Sequence, residues 1–273
     1  MKFRDSHMHT PLCGHAIGQP EDYAEVALEA GLGGITFTCH NPMPRGFWPR
    51  VRMAEDDFPL YVEMVARARE AYAGRLDIRL GLECDFFPGM ESYVAKQLEG
   101  ADFHHVLGSV HWQGPEYGAA YLGNSVQEAY DNYFELLARS AESGLFDTLS
   151  HPDLVKNYQH ELWDWRAMEK SVLAALDRIA ATGVAMELNT SGAHKISGEV
   201  NPGPEMLAAM AERGIPVVIG SDAHVPRRVG EGFGRAFEML EVAGYERVSY
   251  FVGRRRTDVA LREARESLAG CRV

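Results

Sequence analysis

The residues with the most chemistry to offer cluster near the start of the chain, in Arg4-Asp5-Ser6-His7-Met8-His9-Thr10-Pro11-Leu12-Cys13-Gly14-His15. The apolar start, Met1 to Phe3, reads as a first strand that runs into this stretch. Successive strand side chains alternate faces, so His7 and His9 point one way, with Asp5 below them. Two imidazoles about 6–7 Å apart on one face can grip a metal ion from one side. His15, past a Cys-Gly turn, can reach back over the same strand end, and a ligand role for Cys13 in that turn is open but unnecessary. A His-x-His pair also occurs by chance, so its meaning depends on what the other strand ends carry.

They carry the same chemistry. Reading only the residues that follow each later apolar run, the second ends in His40, the third in Glu83, the fourth in His111 and the fifth in His151. The sixth ends in Asn189, and the seventh in Asp222 and His224, which repeat the period-two arrangement of His7 and His9. A polar side chain after an apolar run is costly to bury unless it has a partner. Seven of the eleven histidines fall in this set; His104, His105, His160 and His194 fall at a strand entrance or in loops. Nine imidazole and carboxylate ligands (His7, His9, His15, His40, Glu83, His111, His151, Asp222 and His224) exceed the needs of one ion, so two or three are expected. Nitrogen and oxygen donors suit zinc, iron or manganese, and spacing does not choose among them. Cys39 and Cys84 adjoin ligands, so strand alternation turns both toward the helix layer as packing residues.

The elements that must position these residues repeat. A helical stretch ends at Gly31, Gly74, Gly100, Gly144, Gly183, Gly214 or Gly244, and a β-branched or apolar run follows. Segments 126–143, 166–182, 204–213 and 233–243 have helical spacing, as do stretches around Tyr23 and Leu60. Strand and helix alternate throughout, which implies parallel pairing with helical crossovers. Seven good strands and a weaker eighth (Val248–Val252) predict one barrel-like α/β domain over residues 1–273. In such a barrel, side chains of different strands converge at the C-terminal ends, where sites are built. Two long loops, 41–57 and 112–125, combine aromatics with Gly and Pro, as binding loops do.

Composition narrows the function. The chain has 273 residues, 46% of them apolar, and a formal charge of −12, which weighs against a nucleic-acid footprint. No run approaches the ~20 apolar residues of a membrane span, and no signal peptide is read at the N-terminus. A cytoplasmic protein without a membrane partner is therefore expected, and the oligomeric state is left open. Four scattered cysteines (Cys13, Cys39, Cys84 and Cys271) give neither a disulfide framework nor a zinc ribbon.

The chain resembles the polymerase-and-histidinol-phosphatase (PHP) family, in its monofunctional histidinol-phosphatase branch. The resemblance runs through His7-Met8-His9-Thr10, Cys13-Gly14-His15-Ala16, Thr38-Cys39-His40, Gly81-Leu82-Glu83, Gly108-Ser109-Val110-His111 and Ser150-His151. It continues through Asn189-Thr190-Ser191-Gly192, Gly220-Ser221-Asp222-Ala223-His224-Val225-Pro226 and Val229-Gly230. It implies a distorted (β/α)7 TIM-like barrel with a trinuclear site. His7 and His9 would hold one ion with Glu83 and Asp222, and Glu83 would bridge to a second held by His111 and His151. His15, His40 and His224 would hold the third. Two positions depart from the family pattern: Cys39 stands where an Asp is common, and His194-Lys195 where an Arg-Lys pair is frequent. Imidazole cannot copy a bidentate guanidinium clamp on phosphate.

The implied activity is hydrolysis of a small phosphate monoester, L-histidinol phosphate, by attack of a metal-bridging hydroxide. Asp222 or His224 is expected to protonate the leaving alkoxide. Lys156, Lys195, Ser191, Arg52 and Arg227 are the expected substrate contacts, with Trp48 and Trp112 walling the pocket. Three alternatives stand: a PHP phosphoesterase for a nucleotide or sugar phosphate, a metal-dependent amidohydrolase, and a metal-stabilised binding module.

Overall fold

The computed structural model describes residues 2–44 and 46–268. Met1 of the expected first strand, Arg45 of the first long loop and Cys271 lie outside that range. In chain order the elements are β1 (Arg4–Asp5), α1 (Pro20–Glu29), β2 (Gly34–Phe37), α2 (Phe58–Ala71), β3 (Asp77–Asp85), α3 (Glu91–Leu98) and β4 (His105–Ser109). There follow α4 (Pro115–Tyr121), α5 (Val126–Glu142), β5 (Thr148–Leu149), α6 (Trp165–Thr182), β6 (Ala185–Asn189) and α7 (Pro204–Glu212). The chain closes with β7 (Val217–Gly220), α8 (Phe233–Val242), β8 (Arg247–Val252), β9 (Arg255–Ala260) and α9 (Leu261–Glu266).

The nine strands among the described residues form one sheet in sequence order, parallel from β1 to β8. The sheet curls until its first and seventh strands meet. Past the C-terminal ends of β1 and β7, Met8 bridges Ala223 in parallel register, and His9 N–H donates to the Ala223 carbonyl at 3.0 Å. This is the distorted seven-stranded TIM-like barrel, closed at the end where the histidines lie. At the other end β8 pairs with β7 through Val218 and Ser249 and turns back as an antiparallel hairpin with β9. Phe251 of that hairpin packs with Ala185 and Val218 and stacks on His105, which plugs the lower end of the barrel.

The helices form where spacing and caps agree. In α5, Tyr130, Tyr133, Phe134, Leu137 and Ala141 are buried on one face, and Ser125 caps the start by accepting from Glu128 N–H. In α6, Met168, Val172, Leu176 and Ile179 make the buried stripe, and truncating one of them to Ala would cost about 2–5 kcal/mol. Gly183 ends α6 at φ 74°, a conformation that an L side chain resists, and its N–H donates to the Ala180 carbonyl.

Three local expectations change. The first strand is the polar pair Arg4–Asp5 rather than the apolar start, because the ladder to Gly34 and Ile35 begins at Arg4. The 112–125 segment contains α4, whose Tyr117 is buried and bonded to the Phe86 carbonyl. Finally β9 is an added antiparallel strand at the sheet edge that the sequence does not predict, since Arg255, Arg256, Thr257 and Asp258 carry no apolar alternation.

Candidate metal centre

The innermost group forms where β1 and β7 meet. The His7 Nδ1–H donates to Glu187 Oε1 at 2.7 Å, which leaves the Nε2 lone pair facing the barrel axis. That nitrogen stands 3.1 Å from His9 Nε2, which is itself 3.1 Å from Asp222 Oδ1. Glu83 Oε2, from β3, lies 3.5 Å from both imidazole nitrogens. Glu83 also faces a second group. Its Oε1 is 2.9 Å from His151 Nε2 and 3.6 Å from His111 Nε2, and its Oε2 is 2.9 Å from His40 Nδ1. The His111 Nδ1–H donates to Asp85 Oδ1 at 2.6 Å, so its Nε2 also points inward as a lone pair.

The third group is at the mouth. The His15 Nδ1–H donates to the Cys13 carbonyl and the His224 Nδ1–H to the Asp222 carbonyl, each at 3.0 Å. Both Nε2 atoms are thereby left as lone pairs, with ring centroids 4.5 Å apart. His40 sits between groups: its ring is 4.4 Å from His9, 5.2 Å from His111 and 5.4 Å from His15. All nine groups expected from the sequence are thus at one barrel end. The backbone is strained at two of them, with φ 28° at His151 and 49° at Asp222. Glu187 Oε2 accepts from His151 N–H at 2.9 Å and holds the first of these.

The donor set fits divalent cations. Buried His9 Nδ1, His151 Nδ1 and His224 Nε2 have no hydrogen-bond partner among the described residues, and Glu83 Oε2 and His40 Nδ1 face each other at 2.9 Å without the alignment of a hydrogen bond, a costly state for polar atoms that nothing coordinates. Ligand atoms lie within 4.8 Å of one another in His7–His9–Asp222, in His40–Glu83–His111 and in His9–His40–His224. Electrostatics agree. Burial would raise Glu83, but His40, His7 and His151 outweigh it and hold the carboxyl well below its usual range. Burial would lower His7, but Glu187, Glu83 and Asp222 push it well above its ordinary value. His40 is pushed down to about 4, by burial first and then by His9 against the opposing pull of Glu83. Carboxylates that draw protons onto imidazoles here offer the same negative field to a metal ion.

A cavity of about 430 Å³ opens above these groups, lined in part by Trp48, Gln113, Ser191, His194, Lys195 and Arg228. Ser191 Oγ lies 2.8 Å from Asp222 Oδ2, and Lys195 Nζ lies 3.7 Å from the same oxygen. Trp48 brings its ring 6.2 Å from His111.

Several expected contacts are placed elsewhere. Lys156 is buried beneath the rim, where Asp153 Oδ2 at 3.0 Å and the Val200 carbonyl at 2.6 Å take its ammonium. Arg52 is also buried and donates to Asp85 Oδ2 at 2.5 Å, so it steadies the carboxylate behind His111 rather than facing the cavity. Arg227 is exposed and does not line the cavity, whereas its neighbour Arg228 does. Trp112 packs on Tyr158 and donates to the Leu154 carbonyl. Cys84 and Cys39 both pack in the core, as expected, and Cys39 N–H donates to Tyr61 of α2. The ladder of β2 stops at Phe37, and the Cys39 sulfur accepts from Thr10 N–H and Oγ1–H beside His9. Burial would raise Asp222, yet His7, His9 and Lys195 hold it well below the carboxylate range, and burial with His9 beside it pushes His224 down to about 2.

Two carboxylates missing from the sequence reading matter as much as the ligands. Glu187 and Asp85 orient His7 and His111. Each sits two residues from a predicted strand-end residue, Asn189 and Glu83, so period-two alternation would place them on the inward face.

A parallel barrel whose strand ends gather imidazoles and carboxylates defines a metal-dependent hydrolase class of site. The chain belongs to the PHP-domain family: residues 5–191 match the PHP domain, and residues 206–235 match the PHP-associated region. It is 44% identical over 252 residues to a probable histidinol-phosphatase of Deinococcus radiodurans, covering 90% of this chain and 95% of that one. It is 29% identical to the histidinol-phosphatase of Bacillus subtilis, over 85% of this chain and 97% of that one. Its fold is similar to that of the Lactococcus lactis histidinol phosphate phosphatase, solved with zinc, L-histidinol and phosphate (TM-score 0.80, 19% identity, 94% of this chain and 100% of that one).

Proposed function

We propose that this chain is a metal-dependent phosphatase that hydrolyses L-histidinol phosphate to L-histidinol and inorganic phosphate. It works as a single domain in the cytoplasm, within histidine biosynthesis. The observation that carries this reading is the inward convergence of lone pairs on His7, His9 and His111 around the Glu83 and Asp222 carboxylates, at the mouth of a cavity. The 44% identity to a probable histidinol-phosphatase along nearly the whole chain supports the substrate. Among the described residues, no helix is long and apolar enough to cross a membrane.

Two or three ions, of zinc, iron or manganese, would be held by His7, His9, Glu83 and Asp222, by Glu83, His111 and His151, and at the mouth by His15, His40 and His224. Bound ions supply Lewis acidity and activate water at neutral pH. The chain's own residues do the rest. Lys195 and Arg228 present cationic groups to the phosphoryl oxygens, Ser191 fixes the Asp222 carboxylate, and Trp48 offers a ring face to the imidazole of the substrate. Lys195, close to Asp222, also stands where the leaving oxygen needs a positive neighbour.

The test is phosphate release from L-histidinol phosphate by metal-replete protein, beside a panel of nucleotide and sugar phosphates. His151→Ala is expected to abolish turnover. Equal rates for the two proteins would overturn the proposed centre, and a panel ester turned over faster than histidinol phosphate would replace the substrate.

A further inference from the structure

The mouth of the centre contains a donor that neither the nitrogen nor the carboxylate ligands account for. We propose that the sulfur of Cys13 is a ligand of the outermost ion, together with His15 and His224, which makes that position selective for thiophilic cations of the zinc class. This rests on the metal-dependent reading above.

The ligand atoms of Cys13, His15 and His224 all lie within 4.8 Å of one another, the span of a small tetrahedral coordination sphere. Their orientation is fixed from behind. Both imidazoles spend Nδ1–H on backbone carbonyls, of Cys13 and of Asp222, so Nε2 is the coordinating nitrogen in each ring. His224 Nε2 is buried with no hydrogen-bond partner among the described residues. Beneath the sulfur, His9 is fully buried with its Nδ1 equally unpartnered, and His9, Cys13 and Cys39 form another set within 4.8 Å. A Cys13 sulfur grouped with two histidines that each carry a buried, unpartnered ring nitrogen is placed as a donor rather than as apolar packing.

Cys39 is not the ligand. Its sulfur accepts from Thr10 Oγ1–H at 3.2 Å and Thr10 N–H at 3.5 Å, and its own S–H reaches the Thr10 carbonyl at 3.6 Å. Its hydrogen bonds to Thr10 fix it in place and its thiol lies against the Cys13 sulfur, so it braces the turn that presents Cys13. The short 3-10 turn Pro11–Cys13, closed by Gly14 at φ 80°, fixes where the Cys13 side chain emerges. On binding, the S–M bond forms as the S–H bond breaks, and the proton passes to solvent; no oxidant is involved.

The consequence is a cluster of mixed character. Thiolate with imidazole favours zinc-like ions, whereas the positions dominated by Glu83 and Asp222 accept harder ones such as manganese. Cadmium is the probe, because a sulfur-to-cadmium bond gives an ultraviolet charge-transfer band that nitrogen and oxygen ligands do not. Metal-free full-length protein, kept reduced, is titrated with cadmium chloride while absorbance and bound metal are followed. The wild type and Cys39→Ser are expected to develop the band, whereas Cys13→Ser is expected to bind one equivalent fewer and show none. Cadmium bound by the wild type without a band would overturn the sulfur ligand and leave the nitrogen–carboxylate centre standing. A band that survives Cys13→Ser and vanishes in Cys39→Ser would overturn the choice of sulfur. Failure to bind cadmium at all would overturn both the centre and this extension of it. Retention of the remaining equivalents by Cys13→Ser shows that the variant has folded.

Discussion

At the scale of single residues, the centre depends on groups that never face the cavity. Glu187 accepts from His7 Nδ1–H with one oxygen and from His151 N–H with the other, so one buried carboxylate orients a ligand and holds a strained ligand backbone. Partners of this kind are typically worth 10–100-fold in metal affinity or activity. Glu187→Gln is therefore expected to weaken metal retention about 10–100-fold, read by competition with a chelator; unchanged retention would mean that His7 orients itself. Asp85→Asn should act similarly through His111, and it also removes the negative partner of buried Arg52. The ligands were legible because imidazole after an apolar run is conspicuous in a string of letters. Glu187 and Asp85 were not, because their role is defined by His7 and His111, 180 and 26 positions away. Lys156 fails for the converse reason: near His151 in sequence it reads as a phosphate contact, but Asp153 and Val200 claim it underneath.

At the scale of elements, strand ends must approach closely enough for ligands of different strands to meet, and Gly220 at the end of β7 shows how closely. A Cβ there would stand 2.1 Å from Glu187 Oε1 and 2.6 Å from His7 Cβ. Gly220→Ala is expected to push Glu187 off His7, with loss of bound metal and of phosphatase activity while the barrel stays folded. Circular dichroism with metal analysis checks it, and an Ala variant with full metal content would show that β6 and β7 have slack to separate. The alternation of elements was readable because buried parallel strands are near-continuous apolar runs and glycines stop the helices. The β8–β9 hairpin was half readable. Val248 to Val252 has an apolar face, but β9 is amphiphilic only in the context of its partner, where Ser249 Oγ–H donates to Asp258 Oδ1.

At the scale of the whole molecule, the same barrel that gathers ligands at one end must bury polar groups at the other, and this sets how stability responds to pH. His105 of β4 is 1% exposed, lies 2.8 Å from Thr148 Oγ1 of β5 and stacks at 4.8 Å on Phe251 of β8. Burial, above all, pushes it down to about 3 from an ordinary value of 6.5. A histidine lowered by folding is neutral in the native state, so its protonation favours the unfolded chain. Its contribution is complete above the unfolded value of 6.5 and is lost as pH falls from there toward about 3. Between pH 7.5 and 5 that loss is about 2 kcal/mol. His105→Gln keeps a polar partner for Thr148 and cannot titrate, so other acid-sensitive groups, metal ligands included, are common to both proteins. The stability difference between wild type and variant, from urea unfolding at matched metal content, should shift by about 2 kcal/mol in favour of the variant over that pH interval. A difference that does not change with pH would show that water reaches His105, and that Phe251 does not seal the lower end of the barrel.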